Sequence, residues 1–339
     1  MLSRAILDSI RSVVGAARHI TVCGHVRPDG DAAGSVLALS LLLARLDDAR
    51  REVRAAVDVS ELGLSRFLYE DWPEAECALL EPAKAAAAPC DLLVCLDAAS
   101  VDRLPKPLRP LAGTIPVLVI DHHVTNPRFG TVNWVADASS TGEMVALLAR
   151  RMRWAMDRRV AEALWVAILT DSCRFSIDQT TPATLRIAAF LLSFGVRTAE
   201  LNDRLYVQCD RGVMELRLRA YRSLEVSGDG RYASVAVTLR DFEETGCRKA
   251  DAEDIVDIPR MPRGNRVAVF FYENPESPGL TCLSIRTRPP FDATEIALRY
   301  GGGGHPRAAG CSVSAPLKKA RAAIGREIRE WISAQEPLS

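Results

Sequence analysis

The feature that most constrains this chain is a set of short, unbroken apolar runs separated by helical patterns. Runs of β type at 20–23, 53–59, 91–96 and 115–120 alternate with helical signals such as the one at 32–46. Unbroken apolar strands spaced in this way belong in a parallel sheet covered on both faces, so the chain is expected to be α/β. Helical patterns follow at 141–152, 159–170, 182–194 and 199–224. After the turn signal Gly228-Asp229-Gly230 the pattern restarts with strands at 232–238, 267–272 and 280–287 and closes with a helix at 315–333. A length of 339 residues suits two domains better than one core. The expected division is a parallel-sheet domain with a helical cover over 1–195, a helical linker over 196–229, and a smaller α/β domain over 230–339.

Charge narrows the function classes. Lys plus Arg and Asp plus Glu are both 43, so the net charge is zero, which argues against a protein that grips a long nucleic acid by bulk attraction. The balance is uneven along the chain. From residue 260 onward there are 12 Lys/Arg and 7 Asp/Glu, a local +5, and the remainder carries −5. Nine cysteines without a C-x-x-C pair fit no closed disulfide framework and suggest a reducing, cytoplasmic setting, with Cys23 and Cys95 as buried hydrophobes. The segment 2–20 is broken by Arg4, Asp8, Arg11 and Arg18, and the longest apolar stretch, 36–44, is too short for a bilayer, so neither export nor a membrane partner is expected.

Where the apolar runs end, the chemistry begins. The first is followed by Gly24-His25-Val26-Arg27-Pro28-Asp29-Gly30-Asp31, the third by Asp97, and the fourth by Asp121-His122-His123. Ligand sites of open α/β sheets assemble at the carboxyl ends of strands. Asp29 and Asp31 are close enough to repel unless a cation lies between them, although Asp31 also reads as a helix N-cap. Asp171 ends the apolar helical run, where a lone carboxylate is unfavourable beside the negative helix terminus. Carboxylates and imidazoles without thiolates suit Mn²⁺ or a similar first-row ion, with Mg²⁺ or Co²⁺ as substitutes. The ligands are too many for one ion. Two ions sharing a bridging carboxylate would use them, as in phosphoester hydrolysis by an activated water.

A second constellation lies near the end. Gly301-Gly302-Gly303-Gly304-His305-Pro306-Arg307 offers a backbone that can approach a ligand closely and aim N–H groups at phosphate oxygens. Trp134, Trp154, Trp165 and Trp331 sit at core spacing and read as packing residues.

These motifs, in this order, resemble those of the DHH phosphoesterase superfamily: His25-x3-Asp29-x-Asp31, Asp97 after a strand, Asp121-His122-His123 and Asp171, with the glycine–histidine run resembling its DHH-associated substrate domain. In size and domain content the chain is most similar to the bacterial oligoribonuclease (nanoRNase, NrnA-type) and 3′-phosphoadenosine 5′-phosphate (PAP) phosphatase group. The resemblance implies Mn²⁺-dependent hydrolysis of very short oligonucleotides and of PAP, with the site in a cleft between the domains. It makes His25 and Asp29 ligands of one ion, Asp31, His122 and Asp171 ligands of the other, and Asp97 the bridge. His123 would face the scissile phosphate and Asp121 would orient an imidazole. Arg286 matches the position expected to hold a terminal phosphate, with Gly302, Gly303, Gly304, His305 and Arg307 beside it. A phosphodiesterase of pApA or cyclic dinucleotides, a RecJ-like single-strand exonuclease and a non-catalytic nucleotide sensor are the competing readings. A homodimer is left open.

Overall fold

The computed structural model describes residues 2–46, 51–70, 72–73, 76–275, 277 and 279–336, and divides the chain into two units that meet between Val207 and Gln208. In the first unit α1 (Arg4–Ala16), β1 (His19–Cys23), α2 (Gly30–Ala44), β2 (Glu52–Ala56), β3 (Ala78–Leu80), α3 (Pro82–Ala87), β4 (Leu92–Leu96), β5 (Val117–Asp121) and β6 (Val132–Val135) build the sheet and part of its cover. The helices α4 (Thr141–Met152), α5 (Arg158–Asp171), α6 (Pro182–Leu192) and α7 (Thr198–Asn202) follow. All six strands are parallel, in the order β3-β2-β1-β4-β5-β6.

That order positions the site. From β1 the chain builds outward to β2 and β3, then returns to place β4 on the other flank of β1. The two directions of winding leave a crevice beyond the carboxyl ends of β1 and β4, where no connection crosses. Into it run the segments after Cys23, Leu96 and Asp121. The strands β1, β4 and β5 are buried almost along their whole lengths, which explains their unbroken apolar character.

Helix α2 is apolar on every side and almost wholly buried, so it is a core helix rather than an amphipathic cover. It packs on α5 so closely that a Cβ at Gly34 would stand 2.2 Å from the Ala163 carbonyl oxygen, and only glycine allows that approach. The consequence is geometric: α5 is held tightly to α2, and the Asp at the end of one is brought beside the Asp residues that begin the other.

The second unit contains α8 (Arg211–Arg222), β7 (Glu225–Val226), β8 (Tyr232–Val237), α9 (Leu239–Thr245), β9 (Val267–Glu273), β10 (Thr281–Thr287), α10 (Ala293–Arg299), β11 (Gly303–His305), β12 (Ala308–Val313) and α11 (Leu317–Gln335). Its sheet runs β11-β12-β10-β9-β8-β7, with β8 and β9 parallel and every other neighbour antiparallel. One face packs on α10 and α11 through Phe271, Phe291, Ile296 and Ile328; the other is covered by α8, α9 and the 3₁₀ segment Lys249–Arg260 through Leu216, Phe242 and Ile255, which cluster with Phe270.

The main departure from expectation lies between the units. The helical pattern at 199–224 is not one helix: α7 ends at Asn202, a π-helical turn spans Asp203–Val207, and α8 starts only at Arg211. Asp210 flanks the second start with its backbone in the extended region, so helical periodicity survives on both sides of a break that sequence alone bridges. The expected strand at 53–59 stops at Ala56, because Asp58 caps a 3₁₀ turn. Short strands β3, β6 and β11 were not anticipated. Cys23 and Cys95 are buried and free, which agrees with their reading as packing groups. Among the described residues, no helix is long and apolar enough to cross a membrane.

Candidate metal centre

The residues expected at strand ends converge at the sheet crevice. Three groups of potential ligand atoms each lie within 4.8 Å of one another: His25, Asp29 and Asp97; Asp31, His122 and Asp171; Asp97, His122 and His123. They are linked through Asp97 and His122, each of which belongs to two groups. All seven side chains come from the first unit and from four places in the chain.

Each has a local cause. His25 follows β1 through Gly24, and its Nδ1 lies 2.8 Å from the Val26 carbonyl, so an N–H is best placed there and Nε2 turns to the carboxylates. His122 Nδ1 lies 3.3 Å from the Ala138 carbonyl, and its Nε2 faces Asp97 and Asp171. The helix cap belongs to Asp29 rather than Asp31: Asp29 Oδ1 accepts the Asp31 and Ala32 N–H groups at 3.0 Å. Asp31, one residue further, is buried and reaches across to another helix. Its Oδ2 accepts the Thr141 N–H at 2.6 Å, and its Oδ1 accepts the Gly142 N–H at 2.8 Å and the Ser35 hydroxyl at 3.0 Å. A carboxylate on the first N–H groups of α4 occupies a ready-made anion position. Asp97 adopts a left-handed φ of 53° just past β4, a conformation that costs a non-glycine residue about 1 kcal/mol and that recurs at functional sites.

The electrostatics ask for a cation. Burial disfavours a charged His25, yet the Asp29 and Asp97 carboxylates facing it outweigh burial and hold its pKa up at about 10. Burial likewise opposes charge on His122, and Asp97, Asp31 and Asp171 together raise it to about 10. Burial pushes Asp171 up to about 7, helped by Asp97 and Asp29 and opposed by His122. Asp31 is pushed up by burial and then by Asp97 and Asp171. Burial works against ionised Asp97 too, but His122 and His25 hold its carboxyl well below the usual range. Protons thus gather on imidazoles to offset crowded carboxylates, a task that a divalent ion performs better.

The separations test whether an ion fits. His25 Nε2 stands 3.7 Å from Asp29 Oδ1 and 3.5 Å from Asp97 Oδ2; His122 Nε2 stands 3.4 Å from Asp97 Oδ1 and 3.5 Å from Asp171 Oδ2. These exceed a good hydrogen bond of roughly 2.7–3.2 Å. They are close to the roughly 3.0–3.5 Å between two donors bound at about 2.1 Å to one ion. The donor set of carboxylate oxygens and imidazole nitrogens suits a first-row divalent cation.

His123 and Asp121 stand apart in character. Fully buried Asp121 accepts from His123 Nδ1 at 2.8 Å and from the His123 N–H at 3.2 Å, and this bond raises the His123 pKa. Its other oxygen accepts from Asn126 Nδ2 at 2.6 Å, and Asn126 also donates to the Ala98 carbonyl at 3.0 Å. Asn126, Thr141, Gly142 and Ser35 are therefore site residues that sequence reasoning missed. Thr141 does double service, since its hydroxyl also lies 3.3 Å from Asp97 Oδ1.

In the second unit the register aligns two expected residues. Arg286 on β10 pairs with Ala308 on β12, which pairs with His305 on β11, so all three side chains share one face across roughly 10 Å of sheet. Arg286 lines a cavity of about 360 Å³ with Lys249, Tyr272 and Ser284. The glycine run is not an open loop: Gly303–His305 forms the edge strand of a hairpin. A Cβ at Gly302 would stand 2.1 Å from the Gly310 carbonyl, and one at Gly304 2.5 Å from that of Ala308, so both glycines have a reason within the fold. Gly303 has open space around it. Arg307, in the hairpin turn, donates to the Phe291 carbonyl at 2.6 Å.

Comparison with known proteins gives consistent results. Residues 19–168 match the DHH family N-terminal domain and residues 230–334 the DHHA1 domain. The chain is 33% identical to the bifunctional oligoribonuclease and PAP phosphatase NrnA of Thermus thermophilus, over 97% of this chain and 94% of that protein. Identity to the Bacillus subtilis protein of the same name is 29%, over 85% and 87%. An exopolyphosphatase-related protein from Bacteroides fragilis shares the fold with a TM-score of 0.85 at 23% identity, over 98% of both chains.

Proposed function

The chain belongs to the DHH phosphoesterase family, a DHHA1 domain included, and from that premise we propose that it hydrolyses short oligoribonucleotides to 5′-mononucleotides and removes the 3′-phosphate of PAP. One observation carries the reading: three linked groups of imidazole and carboxylate ligand atoms at a sheet crevice, with no thiolate among them. The named activities of the similar Thermus and Bacillus proteins support the substrate class.

In this reading His25 and Asp29 would hold one Mn²⁺, Asp31, His122 and Asp171 would hold a second, and Asp97 would be shared between them. When bound, such ions polarise phosphoryl oxygens and lower the pKa of water, with Mg²⁺ or Co²⁺ as substitutes. The protein's own groups do the rest. Asp121, fixed by Asn126, holds His123 so that its imidazole can donate a proton to the leaving oxygen. Thr141 and Gly142 fix both oxygens of Asp31. Arg286, with His305 on the same sheet face, offers a donor fork for a terminal phosphate, and Gly302, Gly303, Gly304 and Arg307 shape the hairpin beside it.

The test is a panel of PAP, labelled two- to five-mers, pApA and a 20-mer, each with Mn²⁺, Mg²⁺, Co²⁺ or chelator. Turnover of PAP and the shortest oligomers with Mn²⁺, none with chelator and none on the 20-mer, is the expected pattern. Failure to cleave any member in any metal overturns the proposal, and binding without product in that case identifies a nucleotide sensor.

A further inference from the structure

A cavity of about 340 Å³ lies in the first unit next to the metal ligands and is used by none of the chemistry above. Its size is that of a small-molecule site. Its body is apolar, formed by Ala33, Val36, Ala56, Val57 and Pro107, and Ala83 closes it from α3. His25 belongs both to its lining and to a ligand group, so the cavity begins where the metal centre ends.

The polar groups are arranged unequally. Asp58, Glu61 and Glu81 stand in the lining as acceptors, with Arg27 and Lys106 as its cations. Asp58 Oδ1 is already engaged by the Ser60 N–H at 3.0 Å and hydroxyl at 2.5 Å. Among the described residues, the Glu61 and Glu81 carboxylates take part in no recorded hydrogen bond or ion pair. Asp58, Glu61 and Glu81 offset Arg27, Lys106 and His25, so the lining has no surplus of cations to hold a phosphate, and its apolar walls give an anion nothing in place of its water. A flat, neutral ring with N–H groups on its edge is complementary: its faces leave water for the apolar walls and its edge meets acceptor-only side chains.

We propose that this cavity is a nucleobase subsite, receiving the base of the nucleoside whose phosphate lies at the His25 end of the metal centre, and that it favours bases carrying an amino group. Adenine, guanine and cytosine present an amino group to Glu61 and Glu81. Uracil presents a single N–H flanked by two carbonyls, which carboxylates repel. The proposal rests on the phosphoesterase reading for the placing of the phosphate, and on the cavity alone for the base.

The experiment uses the full chain and the substrates pApA, pUpU and an abasic dinucleotide, with adenosine and uridine binding followed separately by NMR. Ala83 is exposed on α3, so Ala83→Phe fills the cavity without disturbing the core. This variant should raise KM for pApA by about tenfold with kcat little changed, the loss expected when binding that is uniform in ground and transition states is removed. Its kinetics on the abasic dinucleotide should equal those of the wild type. The pair Glu61→Gln and Glu81→Gln should erode the preference for pApA over pUpU. An unchanged KM for pApA in Ala83→Phe, or equal adenosine binding in both proteins, overturns the subsite. If the wild type cleaves neither a dinucleotide nor PAP, the phosphoesterase reading fails on its own, and loss of adenosine binding in Ala83→Phe still supports the cavity.

Discussion

At the scale of single residues, Asp97 carries the most. It is buried, left-handed in φ, and common to two ligand groups, so Asp97→Ala is expected to abolish Mn²⁺-dependent turnover while circular dichroism stays that of the folded chain. Turnover at the wild-type rate would remove the two-ion arrangement. Asn126 acts at one remove. Asn126→Ala frees one oxygen of Asp121 and loosens the dyad that orients His123, with an expected loss of about 10- to 100-fold in kcat and little change in KM. An effect confined to KM would show that Asn126 does not act through His123. The candidate ligands are legible in the sequence because charged residues at the ends of apolar runs have few structural excuses. Asn126 and Thr141 are not: one looks like a loop residue and the other like a helix start. Their partners lie at separations of 5 and 110 residues, which no local pattern encodes.

At the scale of elements, the packing of α2 on α5 decides whether the centre forms. Gly34→Ala would drive a Cβ against the Ala163 backbone and part the helices. Overpacking of this kind costs about 1–3 kcal/mol, read as a lower urea midpoint, and Mn²⁺ affinity measured by calorimetry should fall with it. Unchanged stability would mean that the helices separate at no cost. The central strands and α2 were readable because burial on all sides leaves an unbroken apolar signature. Strands β3 and β6 were not, since three or four residues at the two sheet edges carry too little pattern to distinguish them from loop. The glycine run carries a second reason for its composition that its sequence does not show: Gly302 and Gly304 are required by the close approach of β12. The broken helix at 203–210 escaped because both halves keep helical periodicity.

At the scale of the whole molecule, the two units have separate cores and unequal duties. All the recognised ligand groups lie in the first. Metal removal should therefore lower the thermal transition of that unit alone. At a free Mn²⁺ concentration 100 times Kd the stabilisation amounts to about 2.7 kcal/mol for each ion bound, which differential scanning calorimetry with and without chelator would resolve. A shift of both transitions together would mean that the units unfold as one. Arg286→Ala is expected to raise KM for short oligomers and leave kcat nearly intact, since that residue lies in the other unit, far along the chain from every ligand. The zero net charge also acquires a meaning at this scale, with excess acid before residue 260 and excess base after it. Asp31 adds a constraint on timing. Its oxygens wait for the N–H groups of Thr141 and Gly142, and Asp171 comes later still. Along the chain the group of His25, Asp29 and Asp97 is complete by residue 97, whereas the group of Asp31, His122 and Asp171 can close only once residue 171 has emerged from the ribosome.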